Sequence, residues 1–389
     1  MQTHHWPAQQ RVHAGIGALE QALPKDLEAF GWDRVLLITT NSLIRSGMAS
    51  RVRDLLGARC VGMVADIPAH SPVTSVARLV ADYRKANAQG IVALGGGSVV
   101  DAVKGLLVAL GAGIAPEAVT GESLTRASAR GAISAWGVEF DRPRMIAVPT
   151  TLSAAEFTSF GGVTDTAVGR KLMVSHPLSV PITVIQDPAC TLDTPAELLL
   201  STAARSVDHS VEGFCATNAS PISDATAVEA ARRMWSALPR MHRDPSDLAA
   251  RADAQAAAWL SIQGRSGGVF HGASHGIGYL LGGGFNVPHG LTSCVMLPAV
   301  LRWNAAVNRE RQVAFCERVG LDTAVPLADH VETLFASVGL ATRLPQVGIR
   351  AEHHDKLASM YDGTGPIATN PRKVNGVKDM LEILALAGG

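Results

Sequence analysis

Cysteine is scarce and scattered in this chain: Cys60, Cys190, Cys215, Cys294 and Cys316, with no CxxC pair among them. That pattern excludes a disulfide framework and a cysteine-built zinc site, and it predicts a reduced, intracellular protein. Net charge is missing as well, because 34 Lys+Arg balance 34 Asp+Glu. Nucleic acid and anionic membrane surfaces are therefore not expected partners. No apolar stretch reaches the ~18 residues of a membrane span before a glycine or a charge interrupts it. The opening MQTHHWPAQQ lacks the apolar core of a signal peptide, so a cytoplasmic location is expected. No internal repeat is visible.

What is present is a large apolar fraction, 47% against 17% charged residues, over 389 residues. That is enough for a sizeable core and for two domains, and it argues against disorder. The first ~160 residues alternate strand-like and helix-like segments. Val35–Ile38 (VLLI) is a buried-strand run, and SLIRSGMASRVRDLL after it has helical periodicity. Cys60–Val64 is a second strand, followed by a helix from about Val73 to Ala86. Ile91–Leu94 and Met145–Pro149 are further short apolar runs. Strands alternating with helices predict a parallel sheet covered on both faces. From about Asp187 the strand signals fade, and 194–212, 224–241, 246–263 and 327–338 read as helices. The expected organisation is an α/β nucleotide-binding domain over 1–165 and an all-α substrate domain over 166–389.

The stretch IVALGGGSVVDAVK, Ile91 to Lys104, carries the clearest chemical signal. A strand ends in Gly95, Gly96, Gly97 and Ser98, and a helix begins. Glycines let backbone N–H groups approach a ligand that a Cβ would hold away, and a helix N-terminus favours negative charge. This is the chemistry of a diphosphate cradle, although many such turns only join a strand to a helix. In a parallel sheet ligands bind at the carboxyl ends of strands, where GGGS and the PTT of Pro149, Thr150 and Thr151 both fall.

Three histidines form the second signal: His209 in RSVDHSVEGF, His275 in HGASHGIGYLLGGG, and His289 in NVPHGL. A lone histidine on an apolar helix is usually a core residue. Three in polar or glycine-rich settings suit divalent metal binding or proton transfer.

GGGSVVDAVK, PTTLSAAEFT, His209, His275 and the PHG at 288–290, in that order, resemble the iron-containing (group III) alcohol dehydrogenase superfamily. The resemblance runs from about Arg11 to the NPR at 370–372. Within the superfamily, GRKLMVSHPLSVPITVIQDP (169–188) and LLGGGFNVPHG (280–290) are most similar to the maleylacetate reductase branch. Those enzymes reduce a carbon–carbon double bond conjugated to a ketone. The resemblance implies a dehydroquinate synthase-like fold, NAD(P)H as cofactor, a small-molecule substrate held at a cleft and a homodimer. It also implies that GGGS with Thr150 and Thr151 holds the diphosphate and nicotinamide end, that Lys171 contacts the ribose, and that Arg205, His209, His275, Tyr279 and His289 line the substrate end.

The departures from the family pattern are equally informative. Metal-dependent relatives carry an aspartate ligand four residues before the first histidine; here that position is Arg205. A guanidinium has no lone pair to offer and puts a fixed positive charge where a cation would sit. Asp208 points about 100° around the helix from His209 and is a poor substitute. Metal is therefore not expected; if an ion is bound, its ligands are His209, His275 and His289. Tyr279 takes a position where relatives often have histidine, and a phenol can donate a proton or hydrogen-bond a developing enolate oxygen. Thr40 stands where NAD-preferring relatives have an aspartate for the adenosine ribose, so NADPH is acceptable, with Arg45 in reach of a 2′-phosphate. Asp101 matches the alcohol dehydrogenase pattern better than the maleylacetate reductase one.

These residues lead to an NAD(P)H-dependent reductase acting without metal on a small, carboxylated, conjugated or carbonyl substrate. Two alternatives stay open: a metal-dependent alcohol dehydrogenase using the three histidines, and a catalytically silent nucleotide-binding protein.

Overall fold

The computed structural model of the protein describes residues 9–68, 71–133, 143–167 and 170–388. Gly169, the first residue of the GRK segment, lies outside them, as do the first eight residues. The chain divides between Thr194 and Pro195 into two compact units.

The first unit runs β1 (Arg11–Ala14), α1 (Ala18–Phe30), β2 (Val35–Ile38), α2 (Asn41–Arg45), α3 (Met48–Leu56), β3 (Cys60–Val64), α4 (Val73–Ala86), β4 (Gly90–Gly95), α5 (Gly97–Gly111), α6 (Gly121–Ile133), β5 (Arg144–Pro149), β6 (Phe160–Asp165), β7 (Arg170–Ser175) and β8 (Thr183–Gln186). Six strands form one sheet in the order β1-β8-β5-β4-β2-β3, and every adjacent pair is parallel. Alternation along each strand sends side chains to opposite faces. Val35, Leu37, Val92, Leu94, Ile146 and Val148 pack with Leu19, Leu23 and Leu27 of α1 and Val52 of α3. Leu36, Ile38, Ile91, Ala93 and Met145 pack with Val76, Leu79 and Val80 of α4 and Val100 and Val103 of α5. A sheet covered on both faces needs strands apolar at every position, which is why VLLI and IVAL read as unbroken hydrophobic runs.

The strand order places a topological switch between β2 and β4. From β2 the chain goes to β3 on one side, then crosses to β4 on the other. Ligands of open parallel sheets bind outside the carboxyl ends of strands at such a point. Thr40, after β2, and the GGGS turn, after β4, both sit there.

Two expectations change. The helix read across 42–56 is broken at Gly47, whose φ of 87 separates α2 from α3. The first unit also extends to Thr194 rather than 165. β6 and β7 pair as an antiparallel hairpin of their own, β8 inserts between β1 and β5 of the six-stranded sheet, and both belong to the first unit. Asp187, after β8, is not the start of the helical unit: its carboxylate accepts from the Leu19 and Ala189 amides within the first.

The second unit comprises α7 (Ala196–Cys215), α8 (Pro221–Arg243), α9 (Leu248–Ser261), α10 (Gln263–Ser266), α11 (Ala273–Phe285), α12 (His289–Val319), α13 (Leu327–Ser337), α14 (His354–Ser359), α15 (Gly365–Ala368) and α16 (Val377–Gly388). α7 is its central helix, buried at every position from Ser206 to Cys215. Ser220 starts α8 with a reciprocal capping box to Ser223. α11 ends at Asn286 in the left-handed region (φ 54), and α12 bends at Asn308. Cys294, Cys316 and Trp303 are all buried on α12. No helix of the described residues is long and apolar enough to cross a membrane.

Candidate functional site

In the first unit the GGGS turn is built by close approach. Gly95 closes β4 at φ 154, and a Cβ there would lie 2.6 Å from Val99 Cγ2. Gly96 has φ −83, so the positive φ of this turn belongs to Gly95. The constraint at Gly96 is steric: a Cβ would lie 2.8 Å from Thr151 Cγ2. At Gly97 it would lie 3.1 Å from Ser153 Oγ. The Thr150 amide donates to the Gly95 carbonyl (3.1 Å), which ties PTT to GGGS. The Thr151 hydroxyl is buried and, among the described residues, has no hydrogen-bond partner. Ser71 Oγ donates to the Ser98 carbonyl (2.7 Å), steadying the first turn of α5. Bare amides at the start of a long helix, with an unpartnered hydroxyl beside them, fit the diphosphate of a dinucleotide.

The other cofactor candidates fall into two groups. Thr40 precedes α2 at the switch point, its hydroxyl 2.8 Å from Ser42 Oγ, and Arg45 is exposed at the end of α2. Asp101 and Lys171 lie instead against the β6–β7 hairpin. Asp101 accepts from the Gly162 amide (2.9 Å), and a Cβ on Gly162 would lie 2.8 Å from Lys171 Nζ. Lys104, the last residue of the GGGS motif, is fully buried and donates to the Ala155 and Phe160 carbonyls and to Thr158 Oγ1. It thereby fixes the segment after PTT. Burial lowers its pKa to about 8, opposed by Asp101 and Glu156.

In the second unit, α7, α11 and the first turn of α12 bring the sequence-predicted residues together. The ring centroids of His209 and His275 are 5.0 Å apart, those of His275 and Tyr279 6.5 Å, and those of Tyr279 and His289 6.1 Å. The Arg205 guanidinium carbon lies 5.9 Å from the centre of the Tyr279 ring. Arg205 Nη1 donates to Ser293 Oγ (3.2 Å) and the His289 carbonyl (3.5 Å), and among the described residues Arg205 makes no salt bridge. Exposure sorts the residues: His209 and His275 are buried, whereas Arg205, Tyr279 and His289 are half-buried.

Four further residues join this cluster that the sequence reading left out or set aside. His271 completes a triangle of rings with His209 and His275, its centroid 5.3 Å from His209, on which it stacks, and 3.9 Å from His275, against which it is tilted. Glu212 lies 2.7 Å from His275 Nδ1, and Asp208 Oδ2 accepts from Ser274 Oγ (2.8 Å). Asp208 is thus turned toward α11 and not away from the site. Burial raises Glu212 to about 8, with Asp208 adding to the shift and the Gly272, Ser274 and His275 amides opposing it. Burial raises Asp208 to about 6, opposed by Ser293, Arg205 and Ser274. His209, His271 and His275 all fall well below the ordinary histidine value, first through burial and then through neighbouring positive charge, including Arg205. Their rings are neutral at physiological pH.

This donor set does not fit a divalent ion held by a carboxylate and imidazoles. Among the described residues the one group whose donor atoms lie within 4.8 Å of one another is Asp208, Glu212 and His275. The trio His209, His275 and His289 is not such a group. The oxygens of Glu212 already accept from the Gly272, Ser274 and His275 amides, so an ion there would have to strip the cap from α11. A fixed guanidinium stands one turn before His209.

Comparison with known proteins agrees with this architecture. Residues 9–188 match the family described as Iron-containing alcohol dehydrogenase. Residues 201–388 match Fe-containing alcohol dehydrogenase family, C-terminal. The chain is 30% identical to 4-hydroxybutyrate dehydrogenase of Cupriavidus necator over 95% of its own length and 97% of that protein's. It is 29% identical to maleylacetate reductase of Burkholderia cepacia, over 94% of each. The crystal structure of maleylacetate reductase from Rhizobium sp. strain MTP-10005 superposes with a TM-score of 0.81 at 25% identity, covering 100% of this chain and 99% of that one. With the sheet order, the GGGS turn and the α7–α11 cluster in place, this chain belongs to the iron-containing alcohol dehydrogenase family, in its maleylacetate reductase-like branch, and is an oxidoreductase.

Proposed function

We propose that the protein is an NAD(P)H-dependent reductase that acts without metal on a small carboxylated substrate, at a conjugated C=C or a carbonyl. The observation that carries this reading is Arg205: a half-buried guanidinium beside the Tyr279 ring that, among the described residues, makes no salt bridge, although Asp208 lies within its electrostatic reach. A cation in such a place attracts an anion or a developing oxyanion. The relatives' names point the same way, since 4-hydroxybutyrate and maleylacetate are both carboxylates.

Bound NAD(P)H would supply the hydride. The chain's own residues do the rest. The first unit holds the diphosphate on the amides of Gly96, Gly97 and Ser98. In the second unit Arg205 and the Tyr279 hydroxyl donate to the substrate oxygen on which charge collects. Arg205 and Arg265 both act electrostatically on the rings of His209, His271 and His275, and of the two Arg205 is the one beside Tyr279. We read the working form as a homodimer, which sedimentation of the purified protein checks.

The test is a panel of α,β-unsaturated keto acids, oxo acids and their decarboxylated counterparts, followed by NADH and NADPH absorbance on protein whose metal content has been measured. Turnover confined to the carboxylated members, surviving chelation, is expected. Turnover of plain aldehydes that vanishes with a chelator would instead make the protein a metal-dependent alcohol dehydrogenase. Cofactor binding with no turnover anywhere would make it a silent nucleotide-binding protein.

NADPH is expected to be tolerated, because Thr40 offers no carboxylate at the switch point. Installing one, Thr40→Asp, should shift the NADPH/NADH ratio of kcat/KM toward NADH by about tenfold, or ~1.4 kcal/mol of like-charge repulsion. An unchanged ratio would remove Thr40 from the ribose end.

A further inference from the structure

The N-terminus of α11 is capped by side chains from elsewhere in the chain. The amides of Gly272, Ser274 and His275 donate to the Glu212 carboxyl group at 2.9, 2.8 and 3.4 Å, and the Ala273 amide donates to Asn370 Oδ1 at 3.1 Å. These are the donors that a helix leaves without internal partners, and they favour a negative group. Glu212 is therefore held by backbone and cannot turn to suit its neighbours.

Its Oε2 also lies 2.7 Å from His275 Nδ1, and Asp208 Oδ2 lies 3.4 Å from the same nitrogen. Two carboxyl oxygens converge on one ring nitrogen. A lone pair on Nδ1 would call for a hydrogen on Oε2 or Oδ2, yet Oε2 already accepts from the Gly272 and His275 amides and Oδ2 from Ser274 Oγ; a hydrogen on Nδ1 serves both oxygens. The other nitrogen, Nε2, is buried and, among the described residues, has no hydrogen-bond partner.

We infer that Glu212 is a positioning residue: it locks His275 as the Nδ1–H tautomer and so presents Nε2 as a bare acceptor. The functional meaning rests on the reading of the α7–α11 cluster as the substrate side. Arg205 and Tyr279 are the donors of that cluster, and His275 is then its acceptor. The group that meets Nε2 must bring its own hydrogen, as a hydroxyl or a water does, and a carboxylate or ketone oxygen does not. Glu212 itself touches no substrate in this account.

Nitrogen-15 NMR of the full-length protein labelled at histidine tests the inference directly. His275 is assigned by the signals lost in His275→Gln. Without any ligand, the wild type should show a pyrrole-type Nδ1 and a pyridine-type Nε2 at His275. In Glu212→Leu the acceptor at 2.7 Å from Nδ1 is gone and only Asp208 Oδ2 at 3.4 Å remains, so Nε2–H should appear at the expense of Nδ1–H. Turnover of the substrate reduced in the panel should fall about 10–100-fold, with NADH affinity unchanged. Glu212→Asp keeps a carboxylate and should keep the wild-type tautomer. A cap with a purely structural role would lower Tm without moving the nitrogen shifts. Finding Nε2–H in the wild type, or the wild-type nitrogen shifts retained in Glu212→Leu, would overturn the inference. Absence of turnover over the whole panel would overturn the reductase reading and leave the tautomer assignment standing.

Discussion

Arg205→Ala is expected to lower kcat/KM by about 10²–10³-fold, the usual effect of removing one donor to a developing oxyanion, while NAD(P)H affinity stays at the wild-type value. The separation follows from where the residues lie: Arg205 belongs to α7 of the helical unit, and the GGGS turn to the other unit. Wild-type protein should carry no stoichiometric iron or zinc and should keep its activity after chelation. Arg205→Lys is a sharper control than alanine. It keeps the charge but loses the planar fork that can donate to Ser293 and a carboxylate together, so only part of the activity should return. A metal would otherwise polarise the substrate oxygen; on the proposed reading a guanidinium with Tyr279 beside it would take over part of that task. Stoichiometric metal in the active wild type, or full activity in Arg205→Ala, would sink the proposal. The orientation of Arg205 suits this part. In the fold it turns inward, to Ser293, the His289 carbonyl and the Tyr279 ring.

How much was legible depended on whether a residue's role is local. β2, β3 and α4 fall where periodicity placed them, because burial on both faces of a sheet, or on one stripe of a helix, is written in adjacent residues. β6 was hidden by its own glycines. Gly161 and Gly162 weaken a strand signal, and their purpose is long-range: Cβ atoms there would meet Asp101 Oδ1 at 3.0 Å and Lys171 Nζ at 2.8 Å. β8 is four residues long and gains its meaning only between β1 and β5. Asp208 was set aside by its angle from His209, an argument that holds for a helix with one buried face. α7 is buried all round, so a residue 100° away (one position along) still meets a partner helix. Glu212 and His271 are in the quoted motifs, yet nothing local says that one caps α11 or that the other stacks on His275.

Gly96→Val should weaken NADH and NADPH binding by well over tenfold, more than ~1.4 kcal/mol, with the fold retained. A turn of three glycines implies a positive φ at its centre, but Gly96 sits at φ −83, which valine can adopt. What valine cannot do there is avoid Thr151, whose Cγ2 would lie 2.8 Å from the new Cβ. Relief requires a shift of Thr151 or of the turn, and either change disturbs the amides of Gly97 and Ser98 and the buried Thr151 hydroxyl together. Gly96→Ala, which brings the same Cβ without the branch, should fall between wild type and valine. Gly95→Ala is the control for a folding defect. At φ 154, with Val99 Cγ2 2.6 Å from the new Cβ, its strain falls on the β4–α5 junction, and it should lower Tm more than Gly96→Ala does. Fluorescence titration with both cofactors, beside a thermal melt of each variant, separates the two effects. A Gly96→Val protein that melts like wild type and binds NAD(P)H like wild type would place the diphosphate somewhere other than this turn.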